Sequence, residues 1–96
     1  MWVVVTYDVS TEEKAGQKRL RRVAKVCEKY GQRVQKSVFE CEVDEMAYEK
    51  LRARLLGEIN ANEDSLRIYR LYGSHESSVE QHGVTRTIFF KDPLVI

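Results

Sequence analysis

Residues 2–8 have the sequence Trp2-Val3-Val4-Val5-Thr6-Tyr7-Asp8, an apolar run that ends in one carboxylate. Valine and aromatic residues favour an extended chain, so this run is predicted to be the first β-strand. Alternation places Trp2, Val4, Thr6 and Asp8 on one face and Val3, Val5, Tyr7 and Val9 on the other. Both faces are mainly apolar, which indicates a central strand that is covered on both sides.

A basic helix is predicted to follow this strand and to end at Tyr30, and the next residue, Gly31, is a candidate C′ residue. Its apolar residues recur at helical spacing, at Leu20, Val23, Ala24, Cys27 and Tyr30. Most of its basic residues lie opposite that stripe, with Arg19 towards the edge: Lys14, Lys18, Arg21, Arg22, Lys25 and Lys29. A polyanion would relieve the repulsion between these like charges, so the helix is a candidate nucleic-acid surface. An ordinary solvated face is the alternative.

The remaining segments predict two more strands, a second helix and a fourth strand. Residues 32–43 are rich in β-forming residues, with a break between two strands near Lys36. Asp44 is a candidate N-cap for a helix that ends near Ile59, and residues 65–71 alternate as a strand. The order β-α-β-β-α-β is typical of the ferredoxin-like α+β sandwich, in which two helices cover one face of an antiparallel sheet.

Such a sheet leaves one face open, and Tyr69 and Leu71 are expected on it. A second copy of the chain is the expected cover, which predicts a twofold homodimer. One domain is expected over residues 1–96, with a core at 1–72 and a tail at 73–96. Within the tail, Thr87–Phe90 and Pro93–Ile96 are extended and apolar, which predicts a terminal strand that pairs with a sheet edge of its own chain or its partner.

Composition limits the classes of protein that fit. The 96 residues carry a net charge of only +1, so the total charge identifies no partner. No apolar run approaches the roughly 18 residues needed to span a bilayer, and no signal-peptide pattern is present, so a cytoplasmic protein without a membrane partner is expected. Cys27 and Cys41 are expected to be small buried hydrophobes. His75 and His82 form no metal-ligand pattern, and no Gly-rich phosphate loop occurs.

Asp8 is the candidate metal ligand. If a twofold axis brings two copies of Asp8 together, a shared Mg²⁺, or Mn²⁺ in its place, would cancel their repulsion. Such an ion would activate a water and neutralise charge at a phosphate, with Arg33 or Arg19 stabilising the charge that develops. From the residues alone, the favoured alternative is that Asp8 is a strand-end cap or a salt-bridge partner.

Four segments carry a resemblance to a known family: Val3–Val9, Lys18–Arg21, Gly31–Cys41 and Asp64–Leu71. In this order along nearly the whole chain, they resemble CRISPR-associated protein 2, the small partner of the spacer integrase. The block Gly-Gln-Arg-Val-Gln and the ending Asp-Pro-Leu are most similar to the variety found in subtype I-C systems.

The resemblance implies a ferredoxin-like homodimer whose terminal strand adds to the partner's sheet. It also implies a Mg²⁺-dependent endonuclease acting on RNA or double-stranded DNA, and a scaffold that holds the spacer integrase across a protospacer. Asp8 corresponds to the family's metal carboxylate, and Tyr7 to the end of its first strand. Residues matching the second functional stretch are Arg33, Ser37 and Phe39, and those matching the basic helix start are Lys18, Arg19, Arg21 and Arg22.

Several alternatives stay open at this point. The protein could be a non-catalytic scaffold that binds duplex DNA and the integrase, or a ferredoxin-like regulatory module, although no Gly-rich ligand loop supports the latter. Tyr7, Phe39 and Tyr69 could stack on bases or pack in a core or dimer interface. Ser37 could orient water or a ligand, or form a hydrogen bond within the strand turn.

Overall fold

The structure, a computed structural model, describes residues 1–84. In chain order its elements are β1 (Trp2–Asp8), α1 (Lys14–Tyr30), β2 (Gly31–Gln35), β3 (Val38–Glu42), α2 (Glu45–Glu58), β4 (Ser65–Leu71) and the short α3 (His75–Ser78). The predicted ferredoxin-like order is confirmed, and the break near Lys36 is the turn between β2 and β3. The tail contains one helical turn, α3. The predicted terminal strand at 87–90 and 93–96 lies outside the described residues.

The four strands form one antiparallel sheet in the order β2-β3-β1-β4. As predicted, β1 is central, because Val5 pairs with Phe39 of β3 on one side and with Ile68 of β4 on the other. At the end of the strand, Asp8 lies opposite Ser65. The end of β1 and the start of β4 therefore meet at the same edge of the sheet.

The core lies between this sheet and the helices α1 and α2. Its buried side chains come from the sheet and from both helices: Val3, Val5, Tyr7, Phe39 and Cys41 from the strands, Val23, Val26 and Cys27 from α1, and Tyr48, Leu51 and Leu55 from α2. Both cysteines are free and buried, as predicted, and burial raises the pKa of Cys27 to about 12 and that of Cys41 to about 11. These thiols therefore behave as small apolar groups.

Two local devices set the ends of the helices. The carboxylate of Asp44 accepts a hydrogen bond of 2.7 Å from the backbone N–H of Ala47, which confirms the predicted N-cap of α2. The sequence suggested that Gly31 is a C′ residue, a position that is usually left-handed. Instead, its φ of −163° is extended, and Gly31 begins β2. A Cβ at this position would collide with the Glu40 carbonyl oxygen and the Cys41 Sγ, so glycine is required where β2 approaches β3.

The second face of the sheet, here called the open face, is covered by no helical layer from residues 1–84. Trp2 and Val4 of β1 lie on it opposite Leu71 and Tyr69 of β4, and Tyr69 is 46% exposed. At one end of this face the His75 ring lies 4.5 Å from the Trp2 ring, centroid to centroid. The tail therefore covers one end of the open face, and the apolar strip beside it remains accessible.

The helices of residues 1–84 include none with the length and apolar character needed to cross a membrane.

Candidate metal and nucleic-acid site

Asp8 is the last residue of β1 and its side chain is exposed. Alternation places it on the open face, on the same side of β1 as Thr6. Among residues 1–84 it takes part in no ion pair, which leaves the salt-bridge alternative without support. Its oxygens are therefore available to an external ligand.

Three of the residues that the sequence grouped with Asp8 lie on the opposite face of the sheet. Tyr7 is 6% exposed and Phe39 is fully buried; their rings lie 6.2 Å apart in a stacked arrangement. The Arg33 Cζ lies 5.1 Å from the centroid of the Phe39 ring. Tyr7 and Phe39 therefore pack in the core, which is the alternative to base stacking, and these three side chains do not converge on Asp8 within the chain.

This cluster contains two polar atoms without partners. The Tyr7 hydroxyl and the Arg33 Nε are buried and form no hydrogen bond within the described part of the chain. Burial raises the pKa of Tyr7, and the neighbouring Arg33 only partly opposes that change. The hydroxyl therefore stays protonated at neutral pH and is poorly suited to act as a base.

Ser37 lies in the turn between β2 and β3. Its carbonyl oxygen accepts a hydrogen bond of 3.2 Å from the backbone N–H of Tyr7. This bond holds the turn that contains Ser37 against the end of β1, the strand whose last residue is Asp8.

Arg19 has a structural environment that the sequence did not predict. Its guanidinium donates to both oxygens of Asp64, at 2.9 and 3.2 Å, and to Glu63 at 3.0 Å. Asp64 also accepts from the backbone N–H groups of Ser10 and Asn60, at 3.1 and 2.8 Å. The hydrogen bond from Arg19 is the largest of the effects that hold the pKa of Asp64 at about 2. Arg19 is thus bound by two carboxylates rather than free to contact phosphate.

The other predicted nucleic-acid-binding residues are on the solvent side of α1. Each is exposed: Lys14, Lys18, Arg21, Arg22 and Lys25. None of them takes part in an ion pair among residues 1–84. Their positive charge, which no ion pair in residues 1–84 compensates, suits the backbone of a polyanion.

Arg67 on the open face was not recognised as a candidate from sequence. It pairs with Thr6 across β1 and β4, on the face that carries Asp8, and its Nη1 donates to the Tyr69 hydroxyl at 2.9 Å. Alternation placed Arg67 and Tyr69 on one side of β4. Only the register of β4 against β1 shows that this is the side of Asp8.

The donor set available for a metal is small. Within residues 1–84, no group of three or more His, Cys, Asp or Glu side chains is gathered as a metal site. Asp8 offers one exposed carboxylate, and Mg²⁺ is commonly held by one or two carboxylates while it keeps several waters. The residues present therefore fit a hydrated hard cation, and a second copy of the chain related by a twofold axis would supply a second carboxylate.

Comparisons with known proteins agree with this architecture. A family model described as CRISPR associated protein Cas2 matches residues 1–79. The chain is 55% identical to the CRISPR-associated endoribonuclease Cas2 1 of Moorella thermoacetica, over 100% of both chains. It is 50% identical to the CRISPR-associated endonuclease Cas2 of Halalkalibacterium halodurans, over 99% of both.

A solved structure gives the same result for the fold. The crystal structure of Streptococcus pyogenes Cas2 at pH 6.5 has a TM-score of 0.76 and 51% sequence identity, and the match covers 86% of this chain and 100% of that one. The resemblance to the CRISPR-associated protein 2 family is thereby confirmed. This chain belongs to the CRISPR associated protein Cas2 family.

Proposed function

We propose that this chain is a divalent-metal-dependent endonuclease that acts as a homodimer on double-stranded DNA or RNA in CRISPR spacer acquisition. The observation that carries the proposal is the free, exposed carboxylate of Asp8 at the end of the central strand. Relatives with 55% and 50% identity, which are named endoribonuclease and endonuclease, support the reaction class. Mg²⁺ is the proposed ion and Mn²⁺ its substitute, because both prefer oxygen ligands.

The homodimer is proposed to form through the open face. This face carries a strip of apolar side chains without a helical cover, and Tyr69 within it is 46% exposed. Burial of that strip by a second copy would remove apolar surface from water. Asp8 lies on the same face, so a twofold axis near the end of β1 would bring two carboxylates to one ion.

The residues of each chain would divide the work between holding and positioning. When bound, a divalent cation supplies Lewis-acid catalysis and lowers the pKa of a water at a scissile phosphate. Asp8 would hold the ion, and Arg67 on the same face is a candidate donor to the phosphate oxygens. Tyr7, Phe39 and Arg33 would act as positioning residues from the core side, because their packing fixes the strand end on which Asp8 sits.

A second function, a scaffold that binds duplex DNA and the spacer integrase without need for cleavage, is favoured by another observation. Each chain has several exposed basic residues on α1 that can contact nucleic-acid phosphates, but only one candidate metal carboxylate, Asp8. The chain therefore has more residues suited to binding nucleic acid than to cleaving it. We propose that scaffolding is the biological role and that cleavage is measurable in vitro. The finer placement in subtype I-C is proposed from the segment Gly31–Gln35 and the Asp-Pro-Leu ending.

Asp8→Asn tests the proposal because it removes the charge and keeps the shape. Cleavage of duplex DNA and of single-stranded RNA would be measured in Mg²⁺, in Mn²⁺ and in chelator. Glu12→Gln is the matched control, since Glu12 is an exposed acid in the loop after β1. Loss of cleavage in the Asp8 variant alone, in a folded dimer, supports the nuclease, and unchanged cleavage contradicts it. Spacer acquisition that survives the loss of cleavage supports the scaffold.

A further inference from the structure

An open groove with a volume of about 510 Å³ lies between the outer surfaces of α1 and α2. Its basic lining combines three residues from the second half of α1 with one from α2: Arg22, Lys25, Lys29 and Arg54. Gly57 and Glu58 of α2 complete the side formed by that helix. Arg54 belongs to no motif noted above, and it extends the basic face of α1 onto a second helix.

The four basic residues of the groove have no ion-pair partner within the described part of the chain. All four side chains are exposed. Arg19, by contrast, is held by two carboxylates. Cations spaced three and four residues apart on a helix repel one another, so the groove lowers its electrostatic energy when it takes up an anion. Glu58 is the one acidic lining residue and would compete weakly for the same charges.

The lining also indicates which part of a nucleic acid it suits. Among the described residues, no aromatic side chain lines the groove and Val26 is its one apolar side chain, so the groove lacks the aromatic platform on which the bases of a single strand stack. Lysine and arginine instead contact phosphate, which carries no sequence information. A duplex keeps its bases paired and stacked, and presents a dense row of phosphates on its outside. The groove chemistry therefore favours duplex backbone over a single strand.

We propose that this groove is a second phosphate-binding site, which takes the sugar-phosphate backbone of a nucleic-acid duplex at a distance from Asp8. Lys29 lies fifteen residues beyond Lys14 on α1, or about 22 Å along the helix axis at about 1.5 Å per residue. A duplex parallel to α1 would span about six base pairs over that length. The proposal rests on the nucleic-acid binding proposed above, but it needs neither the metal nor cleavage.

Gly57 supports a close approach of backbone to the groove. A Cβ added there would meet no heavy atom within 4 Å, so packing within the chain does not require glycine. Glycine within a helix is less favourable than alanine, so this position carries a cost that packing does not explain. The missing side chain leaves the α2 side of the groove open to a ligand.

The first test compares two arginines of α2 that differ in position alone. Arg54 lines the groove and Arg52 is exposed outside it, so Arg54→Ala and Arg52→Ala remove the same charge from the same helix. Binding of the full chain to a fluorescent DNA duplex would be measured in chelator over a range of salt. Arg54→Ala should weaken binding about three- to ten-fold and lower the salt slope by about one, with Arg52→Ala near wild type. Equal effects of the two variants, or no effect of either, would overturn the proposal.

The second test changes the shape of the groove and removes its acidic residue. Gly57→Leu fills the groove without a change in charge and should weaken duplex binding while α2 stays folded, as checked by circular dichroism. Glu58→Gln removes the competing carboxylate and should strengthen binding about two- to three-fold. Unchanged duplex binding in both folded variants would also overturn the proposal that this groove binds the duplex backbone. Because duplex binding is measured in chelator, without a metal ion, these outcomes are independent of whether Asp8→Asn abolishes cleavage.

Discussion

Arg19 and Asp64 form a bidentate ion pair, in which Nε lies 2.9 Å from Oδ2 and Nη2 lies 3.2 Å from Oδ1. The Asp64 side chain is fully shielded from solvent, and it also accepts from the backbone of Ser10 and Asn60. It thereby ties the loop after β1 to the loop before β4. These two loops adjoin the residue pair formed by Asp8 and Ser65, so the ion pair braces the edge of the sheet where the candidate metal ligand lies.

Asp64→Asn should destabilise the protein by about 1–3 kcal/mol, because a buried acceptor of charge-assisted hydrogen bonds loses its charge. The free energy of unfolding would be measured by urea denaturation at neutral pH. Glu63→Gln is the matched control, since Glu63 contacts the same guanidinium but its side chain is 53% exposed. The control should cost less than about 1 kcal/mol. Equal losses for the two variants would mean that burial of Asp64 is not what gives the pair its strength.

The same carboxylate predicts how stability depends on acid. Its pKa falls from an ordinary 3.8 to about 2 in the folded protein, chiefly through the hydrogen bond from Arg19. A lowered folded-state pKa means that the stabilisation is complete above the unfolded value and is lost as the pH falls towards 2. Urea denaturation at several pH values should show the gap between wild type and Asp64→Asn narrowing below about pH 4. A gap that stays constant down to pH 2 would contradict this assignment.

Tyr7 and Phe39 offer a test of packing against chemistry. Phe39→Ala should cost about 3–5 kcal/mol of stability, because the ring is fully buried. Tyr7→Phe should change stability by less than about 1 kcal/mol, since the hydroxyl has no hydrogen-bond partner in the described chain. Cleavage by the Tyr7→Phe dimer should match wild type. A folded Tyr7→Phe dimer without activity would instead give the hydroxyl a part in the reaction.

The open face can be tested through its exposed tyrosine. Tyr69→Glu places a charge in the apolar strip and should shift the dimer towards monomer, as measured by analytical ultracentrifugation, because burial of an unpaired charge is costly. Met46→Glu is the control, since Met46 is 70% exposed on α2 rather than on this face. A Tyr69→Glu protein that remains as dimeric as the control would place the interface elsewhere.

The sequence predicted the elements and their order because these follow from local spacing. Alternation in Trp2–Asp8 predicted which side chains share a face, and helical spacing predicted the buried Val23 and Cys27 of α1. The predicted stripe did not include Val26, which is also buried. The N-cap at Asp44 was equally local, since its partner lies three residues away. The role of Gly31 was misassigned because the atoms that require glycine there belong to Glu40 and Cys41, on the neighbouring strand.

The sequence by itself determined the fold class, the strand that ends in Asp8 and the basic face of α1, because backbone geometry turns short spacings into faces. Only the tertiary structure decided which charges are free. Arg19 meets a carboxylate 45 positions away, whereas Arg54 joins the cations of α1 in a groove. Such pairings depend on how distant segments are brought together by packing and strand register, and local periodicity carries no information about them.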